Sequence, residues 1–216
     1  MPLSLSASRR GVLTAVLAVS GLALHLTVQR LAPAAILHAG DAIVGLTPFL
    51  PWTVWIYLLF FPFLVAAGAL QPAERWPCLI GAWALASVVT WVLVLLVPVT
   101  FARPDLATLD PVHRWALGRV YGVDAAHVTF PCLHSALTWI SWWALRDRGP
   151  RIRAVITALA VAIPLSTMTT RQHLVTDNVA ALVIAWVCVR TALPARSARP
   201  TPAGVSPTAR KAPDSP

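Results

Sequence analysis

Apolar runs of membrane-spanning length recur along the chain, and each is closed by a short polar or proline-containing break. Six such windows run from Gly11 to Val28, Val54 to Leu70, Cys78 to Val99, Phe130 to Leu145, Ile152 to Thr169 and His173 to Leu193. A bilayer core takes roughly 20 mostly apolar residues per helix, fewer where flanking residues snorkel. The breaks hold Ala32-Pro33, Gln71-Pro72 to Trp76-Pro77, Arg103-Pro104, Asp110-Pro111 and Arg148-Gly149-Pro150, residues that stop helices or open turns. The pattern predicts an all-α integral membrane protein, with six transmembrane helices in one compact bundle over residues 1–193. Residues 194–216 are rich in Pro, Ala, Ser, Thr and Arg, have nothing to bury, and are expected to form a disordered basic cytoplasmic tail. No internal repeat or second domain is evident.

Composition excludes the soluble alternative. The 216 residues are 57% hydrophobic and 12% charged, whereas soluble domains carry about 25% charged residues. A net charge of +9 would suggest nucleic acid in a soluble protein, but here its distribution decides. With six spans both termini share a side. That side holds twelve basic residues: Arg9, Arg10, Arg75, Arg146, Arg148, Arg151, Arg153, Arg190, Arg196, Arg199, Arg210 and Lys211. The other side holds five, Arg30, Arg103, Arg114, Arg119 and Arg171, which Asp41, Asp105, Asp110, Asp124 and Asp177 cancel. Both termini are therefore expected in the cytoplasm, and no nucleic-acid partner is expected. Ser8-Arg9-Arg10 before an apolar run also fits a secretory signal with small residues near Leu31 to Ala35, although a retained signal-anchor helix explains the same residues. Cys78, Cys132 and Cys188 are too few and scattered for a disulfide framework or a metal knuckle.

Ionisable residues inside or at the edge of a membrane are costly and become functional candidates. His173 and Asp177 are four residues apart, which on a helix places them on one face. A carboxylate hydrogen-bonded to one ring nitrogen fixes the tautomer and frees the other lone pair, as a nucleophile or base requires. A buried polar pair without chemistry fits the same spacing. His134 begins the fourth window, on the face where His173 begins the sixth. Arg103 and Arg171 lie on that face too, and guanidinium forks suit phosphate oxygens, though either alone could simply snorkel. Asp105, Asp110 and Asp124 are spread along an outer loop and are expected to be solvated.

Phe130-Pro131-Cys132-Leu133-His134 and Ser166-Thr167-Met168-Thr169-Thr170-Arg171-Gln172-His173, followed by Asp177, resemble the second and third motifs of the type 2 phosphatidic acid phosphatase superfamily. The closer likeness is to its inositol phosphorylceramide synthase and sphingomyelin synthase-like branch, where these read roughly F-P-S-L-H and S-T-x-x-T-K-Q-H-Y-x-x-D. Asp41, Pro48 to Trp52 and Tyr57 resemble that branch's approach to its second span. The likeness covers most of residues 41 to 181. It implies that His173 attacks phosphorus to give a phosphohistidine, with Asp177 orienting it and His134 protonating the leaving oxygen. It also implies phosphate binding by Arg171 and Arg103 and a reaction that needs no metal or other cofactor. Departures are Leu96 where the phosphatase pattern has Lys, Cys132 for the usual Ser and Leu174 for the usual Tyr.

The expected function is thus that of a metal-independent lipid phosphatase or phosphotransferase in the cell membrane, with its site facing the extracytoplasmic side. Its substrate would be a lipid phosphate, lipid diphosphate or phospholipid, and its acceptor water or an alcohol such as inositol. A small proton-coupled transporter using His134, His173 and Asp177 as a relay, or an inactive scaffold, are the alternatives from other classes.

Overall fold

The structure, a computed structural model, describes residues 5–33, 37–39, 44–126 and 129–192. Asp41 and the tail from 194 to 216 lie outside the described residues. The described chain is almost entirely helical. Helix α1 (Ala7–Leu31) leads to a two-residue strand β1 (Leu37–His38), and a 3-10 turn at Pro51–Thr53 opens α2 (Val54–Leu58) and α3 (Phe60–Leu70). Then come α4 (Trp76–Leu96), β2 (Val99–Thr100), α5 (Pro111–Val123), α6 (Leu133–Leu145), α7 (Pro150–Thr169) and α8 (Val175–Ala192).

Among the described residues, five segments are long and apolar enough to cross a membrane: Ala7–Leu31, Pro51–Leu70, Trp76–Leu96, Pro150–Thr169 and Val175–Ala192. The fourth expected span is shorter, because α6 has only 13 residues. It occupies the centre instead, packed against α3, α4, α7 and α8. Its sequence explains the position: Ser135, Ala136 and Ser141 are small and buried, so neighbouring helices approach closely, while Leu137, Ile140 and Leu145 fill the gaps. In contrast, α1 is peripheral. Val12, Val16 and Val19 are exposed, as suits side chains that face lipid rather than protein.

Helix α1 meets α3 where Gly68 faces Thr14. A Cβ on Gly68 would lie 2.0 Å from Thr14 Oγ1, so the absence of a side chain sets the approach. Thr14 itself donates to the Arg10 carbonyl (2.7 Å) and accepts from Trp76 Nε1 (3.1 Å), so its hydroxyl is paired as both donor and acceptor.

Two ends of the bundle are distinguishable. At one, Arg10 donates to the Ala69 carbonyl (3.3 Å) and Arg148 to that of Leu70. At the other, the Leu50 amide donates to the Thr169 carbonyl (2.9 Å), and Thr53 and Thr169 pair through their hydroxyls (2.7 Å). There β1 and β2 form a short parallel pair, Leu37 opposite Val99.

Helix α5 occupies part of the segment expected to be loop. Asp110 caps it by accepting from the Val112 and His113 amides, and Pro111 takes the first helical position, where no N–H is needed. The hydrogen bond from the His113 side chain, with help from its amide, holds the exposed Asp110 carboxyl below its ordinary range. Ala116, Leu117 and Val120 recur at helical spacing and bury against Val54 and Tyr57.

Candidate active site

His173 does not sit on a helix, contrary to the spacing argument. Helix α7 ends at Thr169, and Arg171 takes a left-handed conformation with φ 55°. The amides of Gln172 and His173 then fold back onto the Thr167 carbonyl, at 3.0 and 3.1 Å. This resembles the left-handed cap that commonly stops helices, here without the usual glycine. It turns His173 inward, to 6% exposure, ahead of the first residue of α8.

The nearest partner of the His173 ring is a main-chain oxygen. Nδ1 lies 2.6 Å from the Thr129 carbonyl and 3.6 Å from Asp177. A carbonyl can only accept, so Nδ1 carries a proton, and in the neutral ring Nε2 holds the lone pair. Burial acts to lower the pKa of the ring, but Cys132 and Asp177 raise it above its ordinary value. Asp177 instead accepts from the Leu174 amide at 2.8 Å. It is an acidic residue in the first turn reaching back to the cap, and its charge still stands beside the imidazole. Thr129 is itself fixed, its amide and hydroxyl both bonding the Val99 carbonyl of β2 at 3.4 and 3.0 Å.

His134, in the first turn of α6, faces His173 with ring centroids 5.9 Å apart. Its Nε2 pairs with the Tyr57 hydroxyl at 2.9 Å, and Phe60 packs edge-on against it at 4.7 Å. Its Nδ1 is buried without a hydrogen-bond partner among the described residues. Cys132 is fully buried at the cap of α6, where its sulfur accepts from the Ser135 amide (3.4 Å) and hydroxyl (3.2 Å).

The two arginines meet around Tyr121. The Arg103 guanidinium lies 4.5 Å from the ring centroid, and its Nη1 donates to the Asp124 carbonyl at 2.7 Å. The Tyr121 hydroxyl donates to the Thr170 carbonyl at 2.6 Å, next to Arg171, which reaches the Val44 carbonyl. Burial pushes the Tyr121 hydroxyl up to about 12, although Arg103 and Arg171 both act to lower it. Desolvation likewise lowers Arg103, against the raising effect of Asp124. The Arg103 Nε is buried and unpartnered among the described residues.

The expectation that Asp124 is solvated is overturned. It is 8% exposed and accepts from Gln29 Nε2 at 2.9 Å. Burial acts to raise its pKa, but the His25 ring at 3.6 Å and the nearby His134 and His173 outweigh this and hold it below the carboxylate range. Gln29 also accepts from the Ala125 amide at 3.0 Å, so α1 is tied to the end of α5.

An apolar cavity of about 360 Å³ opens beside His134 between α1, α3, α4 and α6. Leu17, Phe61, Leu64, Trp83, Val88 and Leu137 are among its walls, with His25 and His134 the only ionisable lining groups among the described residues.

The site therefore gathers His173, His134 and Asp177, while Arg103 and Arg171 converge on Tyr121. Sequence reasoning missed Thr129, Tyr121 and the Cys132–Ser135 contact. One signal was available: the chain has only two tyrosines against ten tryptophans, and Tyr57 and Tyr121 both lie here. A phenol in an apolar setting needs a polar partner. Comparison with family models, curated proteins and solved structures returns no match.

Proposed function

We propose that this protein is a multi-pass membrane enzyme that cleaves or transfers a lipid-linked phosphoryl group through a phosphohistidine. The observation that carries this reading is the His173 imidazole, whose Nδ1 is held by the Thr129 carbonyl, so that in the neutral ring Nε2 is the nucleophilic nitrogen. His134 faces it beside an apolar cavity. The resemblance of Phe130–His134 and Ser166–Asp177 to the type 2 phosphatidic acid phosphatase motifs supplies the reaction.

In this mechanism His173 Nε2 attacks phosphorus, and the P–O bond to the lipid breaks. His134 gives its proton to the departing oxygen, which would otherwise leave as a poor alkoxide. The positive charge on His173 is stabilised by Asp177 at 3.6 Å and by the Thr129 carbonyl. Water or an alcohol then attacks the phosphohistidine, with His134 taking back a proton, and Nε2 departs. Arg103 and Arg171 are the groups suited to the phosphoryl oxygens, the Arg103 Nε offering a spare donor. The hydrocarbon part of the substrate fits the cavity between α1, α3 and α4, which brings it to His134. The bundle crosses the bilayer six times with both termini in the cytoplasm, and the site opens to the extracytoplasmic side.

The test is mass spectrometry of products from purified protein in EDTA, given phosphatidate, polyprenyl phosphates and diphosphates, and phospholipids, with and without inositol. Free phosphate that disappears in His173→Ala is expected for a phosphatase. A phospho-alcohol formed only with acceptor identifies a transferase. His134→Ala is expected to spare substrates with good leaving groups more than poor ones. Full activity of both variants on a natural lipid overturns the mechanism, and proton-coupled uptake without product would make the protein a transporter.

A further inference from the structure

The catalytic pair shares its pocket with a third soft donor that the proposed reaction does not use. The sulfur of Cys132 and one ring nitrogen each of His134 and His173 lie within 4.8 Å of one another. Each histidine has its other ring nitrogen tied to an oxygen: His173 Nδ1 to the Thr129 carbonyl at 2.6 Å, His134 Nε2 to the Tyr57 hydroxyl at 2.9 Å. That is the orientation metal-binding imidazoles adopt, with an outer oxygen fixing the ring while the inner nitrogen faces the ion. The inner nitrogen of His134 is Nδ1, which is buried and has no partner among the described residues. A buried acceptor or donor left unpaired is costly, and a bound cation would remove the cost. Cys132 sits at the N-terminus of α6, where its sulfur accepts from the Ser135 amide, a setting that favours a thiolate.

The geometry points to a site for a soft divalent metal of the zinc class, held by Cys132 Sγ, His134 Nδ1 and His173 Nε2 with the fourth position open. Bonds of about 2.3 Å to sulfur and 2.0–2.1 Å to nitrogen give ligand atoms about 3.4–3.6 Å apart in a tetrahedron. The three donors need to contract by about 1 Å, a movement that side-chain rotation supplies. One sulfur and two imidazoles select zinc or cobalt over magnesium and calcium, which take oxygen ligands. Zinc here takes the Nε2 lone pair that phosphoryl transfer needs, so metal and substrate exclude each other. That consequence rests on the proposed function, whereas the binding does not.

The experiment uses the full chain, purified without a polyhistidine tag, stripped with chelator and titrated with Co²⁺ and then Zn²⁺. One Co²⁺ per chain with a thiolate-to-metal charge-transfer band is expected, displaced by Zn²⁺. Loss of an outer-shell partner costs about 10–100-fold in metal affinity. Removing a ligand in Cys132→Ser or His134→Ala is therefore expected to cost at least about 100-fold and, for Cys132→Ser, to abolish the band. Gel filtration reports whether each variant is folded. The Cys78→Ser/Cys188→Ala variant, which keeps only Cys132, is expected to retain the band. A wild-type chain without the band, a band that survives Cys132→Ser, or one lost when only Cys132 remains overturns the site. Failure of lipid turnover leaves this spectrum unaffected, so the two readings fail separately.

Discussion

His173 has two partners that differ in what they can do. Where a carboxylate alone sets the tautomer of a catalytic histidine, its replacement by an amide costs about 10⁴ in turnover. Here the Thr129 carbonyl is the closer acceptor, 2.6 Å against 3.6 Å for Asp177, and no side-chain substitution removes it. Asp177→Asn keeps an oxygen for the Leu174 amide and loses the charge beside the imidazole, together with the acceptor that Oδ1 offers the Thr176 hydroxyl at 3.2 Å. Under the proposed mechanism a drop of about 10–100-fold in kcat is therefore expected, at about 1.4 kcal/mol per tenfold, with the fold retained. A loss near 10⁴ in a fully folded variant would return the orienting role to Asp177. Arg171 carries a related division of labour. Its φ of 55° is a conformation costing about 1–2 kcal/mol for a residue with a Cβ, yet glycine would lose the cation beside Tyr121. Holding an arginine there is consistent with a side chain wanted for binding rather than for folding.

Between elements, the tightest approach is that of α1 to α3. The Gly68→Ala methyl would overlap the whole Thr14 side chain, with Cβ 2.7 Å and Oγ1 2.0 Å away, and a β-branched residue has little rotamer freedom in a helix to escape. Overpacking of this kind costs about 1–3 kcal/mol, so Gly68→Ala is expected to lower Tm in detergent, and Thr14→Ala in the same chain to recover most of it. An unchanged Tm in Gly68→Ala alone would mean the helices can separate freely. The long helices were legible because some twenty apolar residues have few other uses. Helix α5 was not, since its Ala116, Leu117 and Val120 face is too short to stand out, although Asp110-Pro111 marked its start. The depth of α6 was hidden because Ser135, Thr138 and Ser141 look no different from surface residues until four helices surround them. Asp124 was misread because Gln29, its partner, is 95 residues away. Thr129 acts through its main chain, which has no signature in a sequence at all. The histidines were readable because an ionisable ring at the edge of an apolar run has few structural reasons to be there.

At the scale of the whole molecule, contacts and charge divide the bundle the same way. Hydrogen bonds from Arg10 to Ala69 and from Arg148 to Leu70 gather the start of α1, the end of α3 and the α6–α7 turn at one end. Basic residues crowd that same end, with Arg9, Arg10, Arg75, Arg146, Arg148, Arg151 and Arg153 near these turns. The Thr53–Thr169 contact and His173 lie at the other. Basic loops stay in the cytoplasm, so a reporter fused after Asp147 is expected inside and one fused after Thr169 outside. With 13 residues at about 1.5 Å each, α6 covers about 20 Å of a core about 30 Å thick. If its Arg146 end rests at the inner interface, Cys132 and His134 lie about 10 Å beneath the outer one. A water-soluble thiol reagent added from outside is then expected to label the chain at Thr169→Cys quickly and at Ser135→Cys slowly or not at all. Equal rates at the two positions would place the histidines at the membrane surface, and a cytoplasmic Thr169 reporter would turn the site toward the opposite leaflet.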